Sequence, residues 1–275
     1  ERIKHLFSIP NVVFVLSIDK KQLCNSIRGY YGSDLINAEE YLKRFIDIEY
    51  LLPEPDLDKL CNYLFDIYGF KYFFEKETKQ RSLRNDEKDS FLRMTKLLIE
   101  YKKLNIRQME KLYAHTRLAI QTVRDNEYAH PEIIFLLTYF RLFHYECYDR
   151  IKRKNYTIPE LVDLFESNFP DNLLRPLGDN YDKTYKFMVG TIAKFLSCYS
   201  LTKNGFKTYE LFTEKGDIKE LLFEPKKIAK EELLFFVEWY EKQGVMMGNG
   251  IFDINYLVNH IDLLDGLQDY DEFYN

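Results

Sequence analysis

A strand that is apolar on both of its faces needs cover on both, and Val12 to Ile18 reads as such a strand. The segment NVVFVLSIDKK runs through Val12, Val13, Phe14, Val15, Leu16 and Ile18 before it meets Asp19 and Lys20. A near-continuous β-branched and aromatic run belongs in the middle of a covered parallel sheet. From Lys20 to Tyr31, residues Leu23, Ile27 and Tyr30 recur at helical spacing, which suits a crossover helix. Ile46, Ile48, Tyr50 and Leu52 then alternate with Asp47, Glu49 and Leu51 until Pro53 and Pro55 stop the run. That pattern predicts a second strand. Strand, helix, strand is the building unit of an α/β core, so residues 1–55 are expected to be the short α/β part of a mainly helical chain.

Beyond Pro55 the period changes to that of helices. Asp56 can cap a helix carrying Leu57, Leu60, Leu64 and Ile67 and ending at Gly69. Glu75 to Asp89 is rich in charge, lacks an apolar stripe, and is expected to be a solvated loop or flexible connection. Phe91 to Tyr101 is amphipathic. Asn105 with Gln108 three residues on has the form of a capping box before Ile106, Met109, Leu112 and Tyr113. From Pro131 further helices are expected over 131–153, 157–168, 183–200, 227–243 and 255–267. Pro159, Pro170, Pro176 and Pro225 fall at starts or breaks. The 22 Tyr and 22 Phe of the 275 residues sit mostly at helical spacing, where aromatic side chains fill cores. The acidic, aromatic tail DLLDGLQDYDEFYN reads as a frayed end or a short docking segment. Three regions follow: 1–55, 56–130 and 131–275.

Charge and cysteine usage exclude several classes. A net charge of −5 argues against general nucleic-acid binding, although KKLNIRQMEKLYAHTR is locally basic. Cys24, Cys61, Cys147 and Cys198 are scattered without a C-x-x-C, so no metal site is expected, and reduced thiols fit a cytoplasmic protein. No apolar run approaches the roughly 20 residues of a membrane span.

Several of these elements, in order, carry a family resemblance. FVLSIDKKQL has the apolar strand ending in Asp plus a basic residue. YLKRFIDIEYLLPEP has the turn into a strand closing on Leu-Pro, and ERIKHLFSIP is similar to the helix ahead of them. Together they resemble the part of the KAP family of P-loop ATPases, relatives of AAA+ and STAND proteins, that follows the Walker B strand. NIRQMEKLYAHTRLAI is a weaker echo of the helical lid that follows the core. The chain opens at Glu1 without Met and holds no G-x-x-x-x-G-K-[ST]. It therefore reads as the C-terminal part of something longer, with Walker A, Walker B and the main ligands of ATP and Mg2+ expected upstream of Glu1. The resemblance implies the last strands of a P-loop NTPase core, then a helical lid-like region and a helical C-terminal region. It also implies ATP hydrolysis driving a conformational or assembly switch, in a homo-oligomer or with a partner effector, and anti-phage defence as a bacterial setting. This segment alone is expected to be inactive.

The resemblance assigns roles to five residues. Asp19, at the C-terminal edge of the first strand, corresponds to a sensor that orients the attacking water or reads the γ-phosphate; it can equally cap the helix that begins at Lys20. Ser17 is a lesser candidate on the same strand. Arg44 stands where AAA+ relatives carry an arginine that reaches a neighbouring subunit's nucleotide, with Lys43 as its fallback. A surface pair with Glu39 or Glu40 is the plainer reading of Arg44. Arg107, in the first turn of the lid helix, matches a second sensor. Two other classes stay open. One is a non-catalytic helical scaffold that binds a partner protein. The other is a HEPN-like ribonuclease using Arg124 and His130, whose geometry Pro131 disfavours.

Overall fold

The computed structural model describes residues 11–32, 36–53, 55–75, 81–123, 128–175, 183–200, 212–215, 218–247 and 253–266. The chain divides into two compact units, Glu1–Glu54 and Pro55–Asn275. The expected helix at the start (ERIKHLFSIP) and most of the acidic tail lie outside the described residues.

In the first unit, α1 (Lys20–Tyr31) begins at Asp19, whose carboxylate accepts the Gln22 N–H, and ends at Gly32. Gly32 adopts the left-handed conformation (φ 66°) that closes the helix at no Cβ cost. A short α2 (Ala38–Leu42) is capped by Asn37. The two helices bury Cys24, Ala38 and Leu42 together, with Leu23, Ile27 and Ile46 packed alongside.

The crossover helix falls where the periodicity placed it; the two strands are not seen among the described residues. Residues 12–18 and 46–52 carry no regular strand, and no sheet ladder joins them among the described residues. Val13 and Val15 are 88% and 91% exposed, and Ile48 and Leu51 are each 88% exposed. A strand is defined by its neighbours' hydrogen bonds as much as by its own residues. Without a described partner, these apolar runs stay irregular, and the α/β core strands are not among the elements seen.

The second unit is a helical array: α3 (Leu57–Ile67), α4 (Phe70–Phe74), α5 (Arg81–Lys102), α6 (Ile106–Gln121), α7 (Pro131–Phe143), α8 (Tyr145–Lys152), α9 (Ile158–Asn168), α10 (Asp171–Leu174), α11 (Lys183–Ser200), α12 (Lys230–Met247) and α13 (Ile254–Gly266). A β-hairpin, β1 (Phe212–Lys215) against β2 (Ile218–Leu221), pairs Phe212 with Leu221 and Lys215 with Ile218. It lies between the helices expected over 183–200 and 227–243, where no element was expected. One hydrophobic core runs through this unit, from Cys61 to Ile261. α7 is its axis, with every residue from Pro131 to Phe140 buried. A helix apolar all round can sit only inside such an array. α5, α6, α8 and α13 pack on it, while α11 forms a second centre against α9, α10 and α12.

The aromatic residues are core. The rings of Phe65, Phe70, Phe74, Phe91, Tyr113 and Phe135 pack between α3, α4, α5, α6 and α7, with Phe70 stacked on Phe91 at 4.6 Å and Phe135 edge-on to Phe91 at 5.5 Å. Offset and edge contacts of this kind add to the area they bury.

Two expectations need correction. The span expected as a single helix from Pro131 breaks at His144 (φ −142°), where α7 ends and α8 begins. The Tyr139 hydroxyl and His144 Nε2 share a hydrogen bond of 2.8 Å there. Arg81 to Asp89, expected as loop, is the first half of α5. Glu87 explains part of that: its carboxylate, 6% exposed, accepts the N–H groups of Ala129 and His130. A buried acid gave this charged stretch a tertiary reason to be ordered.

Candidate functional site

Asp19 sits at the junction the sequence singled out, directly after the extended apolar run and at the N-cap of α1. Its Oδ1 accepts the Gln22 N–H at 3.0 Å, which satisfies one of the donors a helix start leaves open. The next residue, Lys20, reaches across to Glu49, with Nζ 2.8 Å and 2.9 Å from the two carboxylate oxygens. Hydrogen bonding to Glu49 raises the Lys20 pKa above its usual value. This ion pair ties the end of the first apolar segment to the middle of the second. They are therefore neighbours in space even without a ladder between them.

Arg44 follows α2 in a turn, its N–H donating to the Tyr41 carbonyl at 3.3 Å. Lys43 pairs with Glu40 at 3.0 Å. The surface pairing considered for Arg44 is thus made by its neighbour, and Arg44 is exposed with no acidic partner among the described residues. Ser17 is exposed in the extended segment. Arg107 belongs to the second unit, at the second position of α6, exposed, behind a complete capping box in which Asn105 and Gln108 bond reciprocally at 3.0 Å and 2.9 Å. Asp19, Ser17, Lys43 and Arg44 thus lie on the first unit and Arg107 on the second.

Arg124 lies outside the described residues. His130 is the N-cap of α7 in a left-handed conformation (φ 47°), and it is 2% exposed. Pro131 thus holds it out of the helix, as expected, and burial keeps its imidazole from a bulky RNA substrate.

Sequence reasoning passed over two buried carboxylates, Glu132 and Glu166, and the partly buried Asp262. Glu132 opens α7 and pairs with Lys194 of α11 at 2.5 Å; the Glu132 side chain is 4% exposed. Burial opposes the Lys194 charge, but Glu132, with Tyr240 and Cys198 nearby, outweighs it and raises the pKa well above the usual value. Glu166 of α9, 2% exposed, accepts the backbone N–H groups of Lys226, Lys227 and Ile228 at 3.1, 2.7 and 3.1 Å. Asp262 of α13 accepts the Tyr148 hydroxyl at 2.7 Å and pairs with Lys152 at 2.7 Å and Arg141 at 3.3 Å. The only sequence signal any of them gives is an acid on an otherwise apolar helix face.

Among the described residues, no group of three or more His, Cys, Asp or Glu could hold a metal ion, and no helix is long and apolar enough to cross a membrane. A search of curated proteins and of solved structures returned no match to this chain. Residues 1–122 match the family model described as the KAP family P-loop domain. That span takes in the Asp19 junction, α2 with Arg44, and α6 with Arg107. Over those residues the chain is similar to the P-loop domain of the KAP family, a family of nucleotide-binding NTPases.

Proposed function

We propose that this chain is part of an ATPase in which hydrolysis of Mg-ATP drives a conformational or assembly switch. The observation that carries the reading is the family match over residues 1–122, which contains both an acid at the end of an apolar segment and an exposed, uncommitted arginine. ATP with its magnesium ion would supply the phosphoanhydride bond and the charge that bridges its phosphates.

The residues present suit that group. Asp19 Oδ1 is committed to Gln22, while Oδ2 has no partner among the described residues and is available to accept from a water. Phosphoryl transfer depends on positioning and charge, so an acid that orients water and a guanidinium that meets developing negative charge are the contributions a chain of this kind can make. Arg44 keeps that capacity because Glu40 is already paired with Lys43. Arg107, at the start of a stiffly capped helix, would couple the position of α6 to the nucleotide. In a homo-oligomer, Arg44 would act on the nucleotide of a neighbouring copy.

The test is ATP hydrolysis by the full-length protein beside its Arg44→Ala variant. Turnover that falls about 100-fold or more, with the fold intact, supports the role. Turnover unchanged in the variant removes Arg44 from the phosphates. Absence of both turnover and ATP binding would favour the helical scaffold, for which Phe235 and Trp239, exposed one turn apart on α12, are the specific observation. A setting in bacterial anti-phage defence would be read as phage protection lost in the same variant.

A further inference from the structure

The geometry points to a second ligand site, in the groove between α5 and α10–α11, that takes a small phosphate monoester carrying a planar ring, such as a nucleoside monophosphate. The groove has a volume of about 360 Å³, within the roughly 300–1,000 Å³ of small-molecule sites. Arg93, Lys96 and Lys183 bring three cations to it, against one carboxylate, Glu100.

The balance of charge matters more than the count. Lys96 is committed: its Nζ lies 2.7 Å from Asp58, and its pKa is raised by the hydrogen bond to Asp58, with a smaller contribution from Glu100. Arg93 and Lys183 are exposed and carry no ion pair among the described residues. With Lys96 set against Asp58, Arg93 and Lys183 outnumber the groove's one carboxylate, Glu100, and a concave surface with that excess attracts an anion such as a phosphate monoester.

The walls favour a ring beside the phosphate. Tyr101 and Phe187 line the groove with Leu97 and Leu173. The Arg93 guanidinium already lies over the Phe187 ring, 5.9 Å from its centroid, so the cation and the aromatic wall are adjacent. The Tyr101 hydroxyl accepts from Asn172 Nδ2 at 2.9 Å, which fixes an amide in the lining of the groove. Cationic side chains, an apolar and aromatic lining and an oriented amide are the ingredients of a site that distinguishes an intact nucleotide from its parts.

The experiment is calorimetric titration of the full chain with AMP, adenosine and inorganic phosphate. AMP is expected to bind one to one, with adenosine and phosphate each about 10-fold weaker or worse. Arg93→Gln and Lys183→Gln should each weaken AMP about 10-fold, and Lys183→Arg should bind as the wild type does. Both side chains are exposed, so melting curves should be unchanged. Arg44→Ala should leave AMP binding intact, which separates this site from the ATPase reading, on which it does not depend. No AMP binding, or binding indifferent to both glutamine variants, overturns the assignment. So does binding lost in Arg44→Ala but kept in Arg93→Gln, because the nucleotide would then sit on the first unit. Phosphate binding as tightly as AMP overturns the ring-bearing ligand.

Discussion

Asp19 holds two functions that substitution can separate. Its Oδ1 caps α1 through Gln22 at 3.0 Å, and its charge stands at the end of the apolar segment. Asn keeps a carbonyl oxygen in the capping position and is as good an N-cap as Asp, so Asp19→Asn should cost almost nothing in stability. Asp19→Ala removes the acceptor and should cost about 0.5–2 kcal/mol. α1 is the one long helix among the described residues of its unit, and its core is three buried side chains, so that loss falls on a small reserve. At about 1 kcal/mol, amides of α1 should exchange roughly fivefold faster in Asp19→Ala and at the wild-type rate in Asp19→Asn. Turnover of the full-length protein reports the other function. If the carboxylate orients the attacking water, both variants lose about 100-fold or more, Asn despite its intact cap. Wild-type turnover in Asp19→Asn, with only Asp19→Ala impaired, would show that the cap is the whole role of this residue and refute the sensor assignment.

Glu166→Gln keeps one acceptor oxygen but turns an N–H2 toward backbone donors that now meet a carboxylate. A hydrogen bond to a charged group is worth about 1.5–3 kcal/mol, so a melting temperature lower by about 3–12 °C is expected; a change under about 1 °C would contradict the cage. Lys194→Met leaves Glu132 buried without its partner and should cost about 3–5 kcal/mol in urea unfolding, much of it recovered by adding Glu132→Leu; a single variant as stable as the wild type would remove the pair from the fold's energetics. His115 is held below the usual imidazole range by burial, with Arg141 and Lys111 adding to it, and His144 by burial and Lys102. The unfolded chain therefore takes up protons first as pH falls, so the stability these histidines contribute is full above about pH 6.5 and lost below it. Melting temperature should drop from pH 7.5 to 5.5 less steeply in a His115→Asn/His144→Asn variant, and equal slopes would exclude this source.

Elements whose signals are local were readable from the sequence. The spacing of Leu23, Ile27 and Tyr30 placed α1, the Asn105–Gln108 pair placed the start of α6, and Lys183–Ser200 matches α11 in both bounds. Where the deciding contact is distant, the reading failed. Val12–Ile18 has strand composition but no described strand beside it to complete a ladder. Arg81–Asp89 has loop composition, but Glu87 is drawn into the core by the amides of Ala129 and His130, 42 and 43 residues away. The hairpin at 212–221 gave no alternation strong enough to stand out from the helices around it. For the candidate site the same division holds. That Asp19 could cap α1 was visible, because the partner is three residues on. That Lys43 rather than Arg44 takes Glu40 was not, because either basic side chain could have reached a neighbouring acid.

The buried glutamates show why charge is the hardest signal to interpret along this chain. Glu87 accepts the amides that lead into α7, Glu166 accepts those that lead toward α12, and Glu132 opens α7 while pairing with α11. Glu87 and Glu166 satisfy backbone donors that would otherwise be buried without partners, and Glu132 balances the charge of Lys194. Removing such an acid would expose the cost of those donors, which makes these residues fixtures of the fold however polar their composition looks. Arg44, Arg93, Arg107 and Lys183 are the converse: exposed, without an acidic partner among the described residues, and not required to satisfy the backbone. A charge that the fold has used is poor evidence of function, and a charge it has left uncommitted is better evidence. Function is therefore expected at Arg44, Arg93, Arg107 and Lys183, and stability at Glu87, Glu132 and Glu166.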